Sequence, residues 1–195
     1  MSLVELIARA DARGLAASGL ACLDRCLPLL DGDDDVLRPL WAALADGDAG
    51  GDGAASGDGA AWAQAWEQVR GKLAGPGAAG EDEAVLLARR MLAAAPAGCS
   101  AAEVRGWADA CSVASLRIHR LLDPATEAAG AAGVGREEPG RDASPLVAAE
   151  LRRQVTVLEL LAGHGPAGLR GALDVSTEGR RVLRAVVSRR ARGRG

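Results

Sequence analysis

Wherever this chain carries large apolar side chains in series, they recur every three or four residues, and none of these runs alternates with polar residues as a half-buried strand would. Leu20, Leu23, Leu27 and Leu30 keep that spacing, as do Trp62, Trp66, Val69 and Leu73. Val104, Trp107, Cys111, Ile118, Leu121 and Leu122 make the longest pattern, and Val147, Leu151, Val155, Leu158 and Leu161 the broadest face. The spacing predicts an all-α helical bundle of about seven to nine helices with no sheet, and with helices 101–122 and 145–162 at its centre.

Local start and stop chemistry supports the same reading. Ser2 with Glu5, and Ser100 with Glu103, have the form of capping boxes, and Ser144-Pro145 is a cap followed by a first-turn proline. The expected segments are a helix over 2–13 ended by Gly14, a second opened by Ser18 and closed at Pro28, and helices over 36–45, 60–74 and 81–95. After 101–122 and 145–162 come a short turn through Gly163 to Pro166, a segment from Leu169 to Leu173, and a last helix from about Thr177 to Ser188. Residues 46–60 and 124–143 are poor in large apolar side chains and read as loops. The whole of 1–195 is expected to be a single helical domain, with the 46–60 loop as the place where two lobes could divide, and with 189–195 a basic disordered tail.

With 195 residues and 49% hydrophobic side chains, the chain can bury a large core. It has no Phe, Tyr or Asn, and a single lysine, Lys72, against 22 arginines. That bias suits a GC-rich, bacterial genome, and it lowers the weight of any Ala/Gly-rich stretch as a designed feature. The net charge of −3 is unevenly spread: residues 1–99 carry −7 and residues 100–195 carry +4. Met1 to Asp11 lack a basic segment of the signal-peptide kind, and Arg89-Arg90 and Arg152-Arg153 interrupt the greasiest helices. A cytoplasmic location without membrane contact is the expectation. Cysteines 22, 26, 99 and 111 read as buried small hydrophobes rather than a disulfide framework.

No motif makes a catalytic, cofactor or metal site, and none is predicted. Gly75 to Gly80 match GxGxxG, but a helix precedes them where the dinucleotide fingerprint needs a strand. Asp31, Asp33 and Asp35 fit the first positions of an EF-hand loop, yet Val36 and Ala42 stand where Gly and Glu are required. Their spacing also departs from the DDxxD motif of helical isoprenoid enzymes, so a solvated capping turn is expected. Cys22 and Cys26 lie one helical turn apart, but further metal ligands are hard to find. Residues 112–122, SVASLRIHRLL, resemble the recognition helix of helix-turn-helix regulators over eleven residues; without a glycine turn after Trp107, one continuous helix is the reading preferred. His164 lies between glycines and has no recognisable nucleophile near it; a pocket joining it to Glu150 or Glu159 would be needed for base chemistry.

The most distinctive feature is the C-terminal arginine series, seven within residues 180–195 and no acid among them. Arg180, Arg181, Arg184, Arg189 and Arg190 are the candidate anion- or partner-binding residues, suited to phosphate or to an acidic protein. The leading expectation is an accessory or regulatory protein acting through protein contacts, with another protein or a second copy as partner. Nucleic-acid association through the arginines and a small helical enzyme of unknown reaction are the alternatives.

Overall fold

The computed structural model describes residues 1–46, 58–73, 82–96, 98, 100–123 and 144–193. These form eight α-helices and no strand: α1 (Leu3–Arg9), α2 (Ala12–Cys26), α3 (Arg38–Ala45), α4 (Asp58–Leu73), α5 (Glu83–Ala93), α6 (Ala101–Leu122), α7 (Pro145–His164) and α8 (Gly168–Gly193). Short 3-10 turns follow α2 and link α7 to α8. No helix among the described residues is long and apolar enough to cross a membrane.

The predicted caps hold where the cap chemistry is complete. Ser2 and Glu5 satisfy each other's backbone amides, and Ser100 and Ser144 accept from the amides of Glu103 and Val147. Residues 112–122 lie within the single helix α6.

At the start of the chain the boundary differs from expectation. Asp11 caps α2 by accepting from the Gly14 amide at 2.7 Å, so Gly14 lies in the first turn of a helix rather than beyond the end of one. Ser18 is accordingly buried in mid-helix.

The centre of the bundle is also different. Every residue of α2 from Gly14 to Cys26 is buried, and α6, α7 and α8 pack around it, so α2 rather than the α6–α7 pair is the core helix. Its small side chains explain this, because Ala16, Ala17, Gly19 and Ala21 let neighbours approach closely. A Cβ on Gly19 would stand 2.7 Å from Trp107 Cζ3. Trp107 continues into an edge-to-face series, with centroids 5.5 Å from Trp66 and, from there, 5.6 Å to Trp62, which ties α4 to α6.

The last helix is longer than its pattern suggested. The turn before it uses Gly165 at φ +53 and Gly168, whose Cβ would lie 2.3 Å from the Leu160 carbonyl oxygen. From Gly168 one helix runs without a break through 173–177 and past Ser188 to Gly193. Near its end Arg190 Nη1 donates to the Leu121 carbonyl at 2.6 Å, so this stretch is tied to the last turn of α6.

Candidate functional site

Two adjacent charges on α2, Asp24 and Arg25, organise the polar interior. Successive residues on a helix point about 100° apart, so the pair reaches two different sides of the bundle.

Arg25 reaches α7. Its Nε and Nη2 donate to the two carboxylate oxygens of Glu150 at 2.8 and 2.7 Å, and both side chains are 0% exposed. The Ser115 hydroxyl (2.7 Å) and the Gln154 amide (2.9 Å) donate to the same Glu150 oxygen. Gln154 in turn accepts from the Ser112 hydroxyl at 2.7 Å. Arg25 also donates to Cys22 Sγ at 3.4 Å, and the Cys26 thiol to Ser115 Oγ at 3.8 Å. Ser112, Ser115 and His119 share one face of α6, while Glu150 and Gln154 are one turn apart on α7. The polar layer therefore joins α2, α6 and α7.

The protonation states follow from this packing. Burial pushes the Glu150 carboxyl up, but the Arg25 charge and the hydrogen bonds from Arg25 and Gln154 outweigh it and bring it down to about 2. Burial works against the Arg25 charge as well, and Glu150 more than reverses that, raising it. His119 moves down, because its burial outweighs the pull of Glu150. Its Nδ1 lies 2.8 Å from the Ser115 carbonyl, which only accepts, so Nδ1 carries the hydrogen; Nε2 faces Glu150 at 3.5 Å. Burial raises the Cys26 and Cys111 thiols, which stay protonated and poorly nucleophilic. An ionised carboxylate already held by four hydrogen bonds, from Arg25, Ser115 and Gln154, is a structural anchor rather than a proton acceptor.

Asp24 opens a second layer that runs from the core to the surface. Its Oδ2 accepts from Trp41 Nε1 at 2.8 Å, and its Oδ1 lies 2.9 Å from Arg180 Nη1, an ion pair without hydrogen-bond alignment. Burial raises Asp24, with the Arg180 charge and the Trp41 bond pulling the other way. Arg180 Nη1 also donates to the Asp34 backbone carbonyl at 2.7 Å. Arg184 then holds the Asp34 carboxylate with both terminal nitrogens, at 3.0 and 2.5 Å. That hydrogen bonding keeps Asp34 below the usual carboxylate range. The Asp34 and Arg184 side chains are 52% and 44% exposed, so this end of the layer faces water.

The arginines singled out from sequence thus divide into two sets. Arg180 is buried, Arg184 is paired with Asp34, and Arg190 is half-buried on Leu121 and 4.0 Å from Asp82. Arg181 and Arg189 are exposed, as is Arg192; the Arg189 Nε donates back to its own helix, to the Ala185 carbonyl at 3.2 Å. The acidic turn is more than a solvated cap, since Asp33 accepts from the Asp35 amide while Asp34 binds α8. His164 is exposed at the end of α7 with Nδ1 3.2 Å from the Leu160 carbonyl, whereas Glu150 faces Arg25 in the interior. Among the described residues no three His, Cys, Asp or Glu side chains converge as a metal site. Cys99 and the glycines of 75–80 lie outside the described residues.

Sequence reasoning missed Asp24, Arg25, Ser115 and Gln154 as partners. One signal was available: two opposite charges inside an otherwise apolar run, Leu20 to Leu27, imply buried charges that must be paired elsewhere.

Fold and site together define an all-helical bundle whose core helix is held by two ionic layers, one sealed and one opening on a basic helix. Comparison with known protein families, with curated proteins and with solved structures finds no match to this chain.

Proposed function

We propose that the protein is an accessory or regulatory binding protein that acts through protein contacts, docking the outward arginines of α8 on an acidic patch of a partner protein. The observation that carries this reading is the division of labour along one helix. Arg180, Arg184 and Arg190 bond to other elements of the bundle, Arg184 at the water-facing end of its layer, while Arg181, Arg189 and Arg192 are exposed along the helix. At 100° and 1.5 Å per residue, those three fall in a sector of about 80° and span about 16 Å, a compact basic strip in a segment without an acid. Arginine forks suit carboxylates, and a local patch needs only local complementarity.

A polyphosphate partner is less favoured. The chain is −3 overall and −7 over residues 1–99, and a nucleic acid, charged continuously along its length, meets that field over more of the surface than a local acidic patch does. The test is capture from the source cells with tagged wild type and with Arg181→Glu, Arg189→Glu, Arg192→Glu combined. The expected result is one acidic protein held by the wild type and lost by the variant while both stay folded. Retention of nucleic acid that weakens steeply with salt, or partners unaffected by the charge reversal, would overturn the reading.

A further inference from the structure

A carboxylate already occupies the basic face of α8: Asp34, from the turn between α2 and α3, lies in the Arg184 fork with Arg180 Nε 3.6 Å from the same carboxylate. This contact is built differently from the interior ion pairs. Arg180 is anchored independently of the Asp34 side chain, by Asp24 and by the Asp34 backbone carbonyl. Among the described residues the Asp34 carboxylate is held by the arginines, and roughly half of its surface and of Arg184's faces water. Arg181, one residue from Arg180, is exposed on the outer side of the helix and adds its charge to Asp34's surroundings. The geometry is that of carboxylate recognition with an internal occupant, reachable from solvent.

We infer that the Arg180–Arg184 fork is a carboxylate-binding seat for an Asp or Glu side chain of an acidic partner, and that Asp34 is its built-in competitor. The inference rests on the acidic-partner reading above and adds a regulated step to it. Binding proceeds by exchange: the partner's carboxylate enters the Arg184 fork as the Asp34 carboxylate turns to water, and no net ion pair is gained or lost. Affinity is then reduced by the fraction of time for which Asp34 fills the seat. Such a self-occupied fork weakens binding to isolated carboxylates and leaves partners that also engage Arg181, Arg189 and Arg192 able to compete.

The experiment measures binding of a fluorescent hexaglutamate peptide to the full chain by anisotropy at low ionic strength, where exposed charges are least screened. Wild type is compared with Asp34→Asn, with Asp35→Asn and with Arg184→Ala, each checked for unchanged helicity. Asp35 is the control because it is exposed and loses the same charge one residue away from the fork. Asp34→Asn is expected to tighten binding about two- to fivefold, the range that a partly exposed ion pair sets. Asp35→Asn should have a smaller effect, and Arg184→Ala should weaken binding. Equal effects of the two Asn variants, no effect of Asp34→Asn, or no binding by any form would overturn the competition. So would a short oligothymidylate that gains more from Asp34→Asn than the peptide does. The partner reading is judged separately by the capture experiment, in which Asp34 is untouched.

Discussion

Taking Arg25 and Glu150 out of water costs several kcal/mol per ion, and only their mutual pairing and the bonds from Ser115 and Gln154 make that burial tolerable. Removing one partner is therefore far worse than removing both. Glu150→Gln, which strands the Arg25 charge, is expected to lower unfolding stability by about 3–5 kcal/mol. Arg25→Met with Glu150→Leu should cost less than the sum of the single changes; urea denaturation around this double-mutant cycle measures the coupling. The same residues set the response to acid. Glu150 has a folded value of about 2 against an ordinary 4.5, so its stabilisation is complete above pH 4.5 and is lost as the pH falls towards 2. His119 is lowered from 6.5, so its contribution is complete above pH 6.5 and is lost as the pH falls below it. Asp24 is raised and runs the other way: what it contributes is present below 3.8 and lost as the pH rises through its folded value. The urea midpoint should fall between about pH 7 and pH 5, and His119→Gln should flatten that slope; an unchanged slope would remove His119 from the account. None of this pairing was legible locally, because Arg25 and Glu150 lie 125 positions apart. The charges inside the apolar run showed that partners must exist, without showing which.

At the scale of single helices, what could be read from sequence was what local chemistry decides. The starts of α6 and α7 follow from Ser100 with Glu103 and from Ser144-Pro145, since a cap and its amides lie within one turn. The start of α2 was misread because Gly14 resembles a stop signal, while Asp11, three residues earlier, is what satisfies its amide. The unbroken course of α8 was hidden at 173–177, which the expected segments left between two helices although Ser176 sits inside the helix and donates to the Ala172 carbonyl; further along α8, Gly179 is required by packing. Its Cβ would stand 2.3 Å from Arg25 Cδ and 3.0 Å from Arg153 Cδ. In an exposed helix interior, Gly→Ala ordinarily stabilises by up to about 1 kcal/mol. Gly106 in α6 is exposed, with open space around its Cβ position, and Gly106→Ala should show that gain. Gly179→Ala should instead destabilise by about 1–3 kcal/mol, because it presses on a side chain locked to Glu150. Thermal unfolding of the two variants separates the cases, and a gain at Gly179 would mean that Arg25 is not held as described.

In the molecule as a whole, the acidic first half and the basic second half meet through defined pairs, Asp24 with Arg180 and Asp34 with Arg184, and the net charges of the halves did not show which residues these would be. Helical class was legible because every apolar run has helical spacing; the central place of α2 was not, because small residues permit close packing without announcing it. All four tryptophans are buried, three in one edge-to-face series, so intrinsic fluorescence should be blue-shifted, resistant to acrylamide, and red-shifted in a single transition on unfolding. Early exposure of α4 would appear as two transitions instead. The central claim is that the arginines of α8 have two different tasks. Urea denaturation of two triple-alanine variants tests it most directly. Replacing Arg180, Arg184 and Arg190 should lower stability by about 3–5 kcal/mol, chiefly by leaving Asp24 buried without its charge partner. Replacing Arg181, Arg189 and Arg192 should leave the midpoint nearly where it was. Equal losses in the two variants would contradict the division on which the functional reading rests.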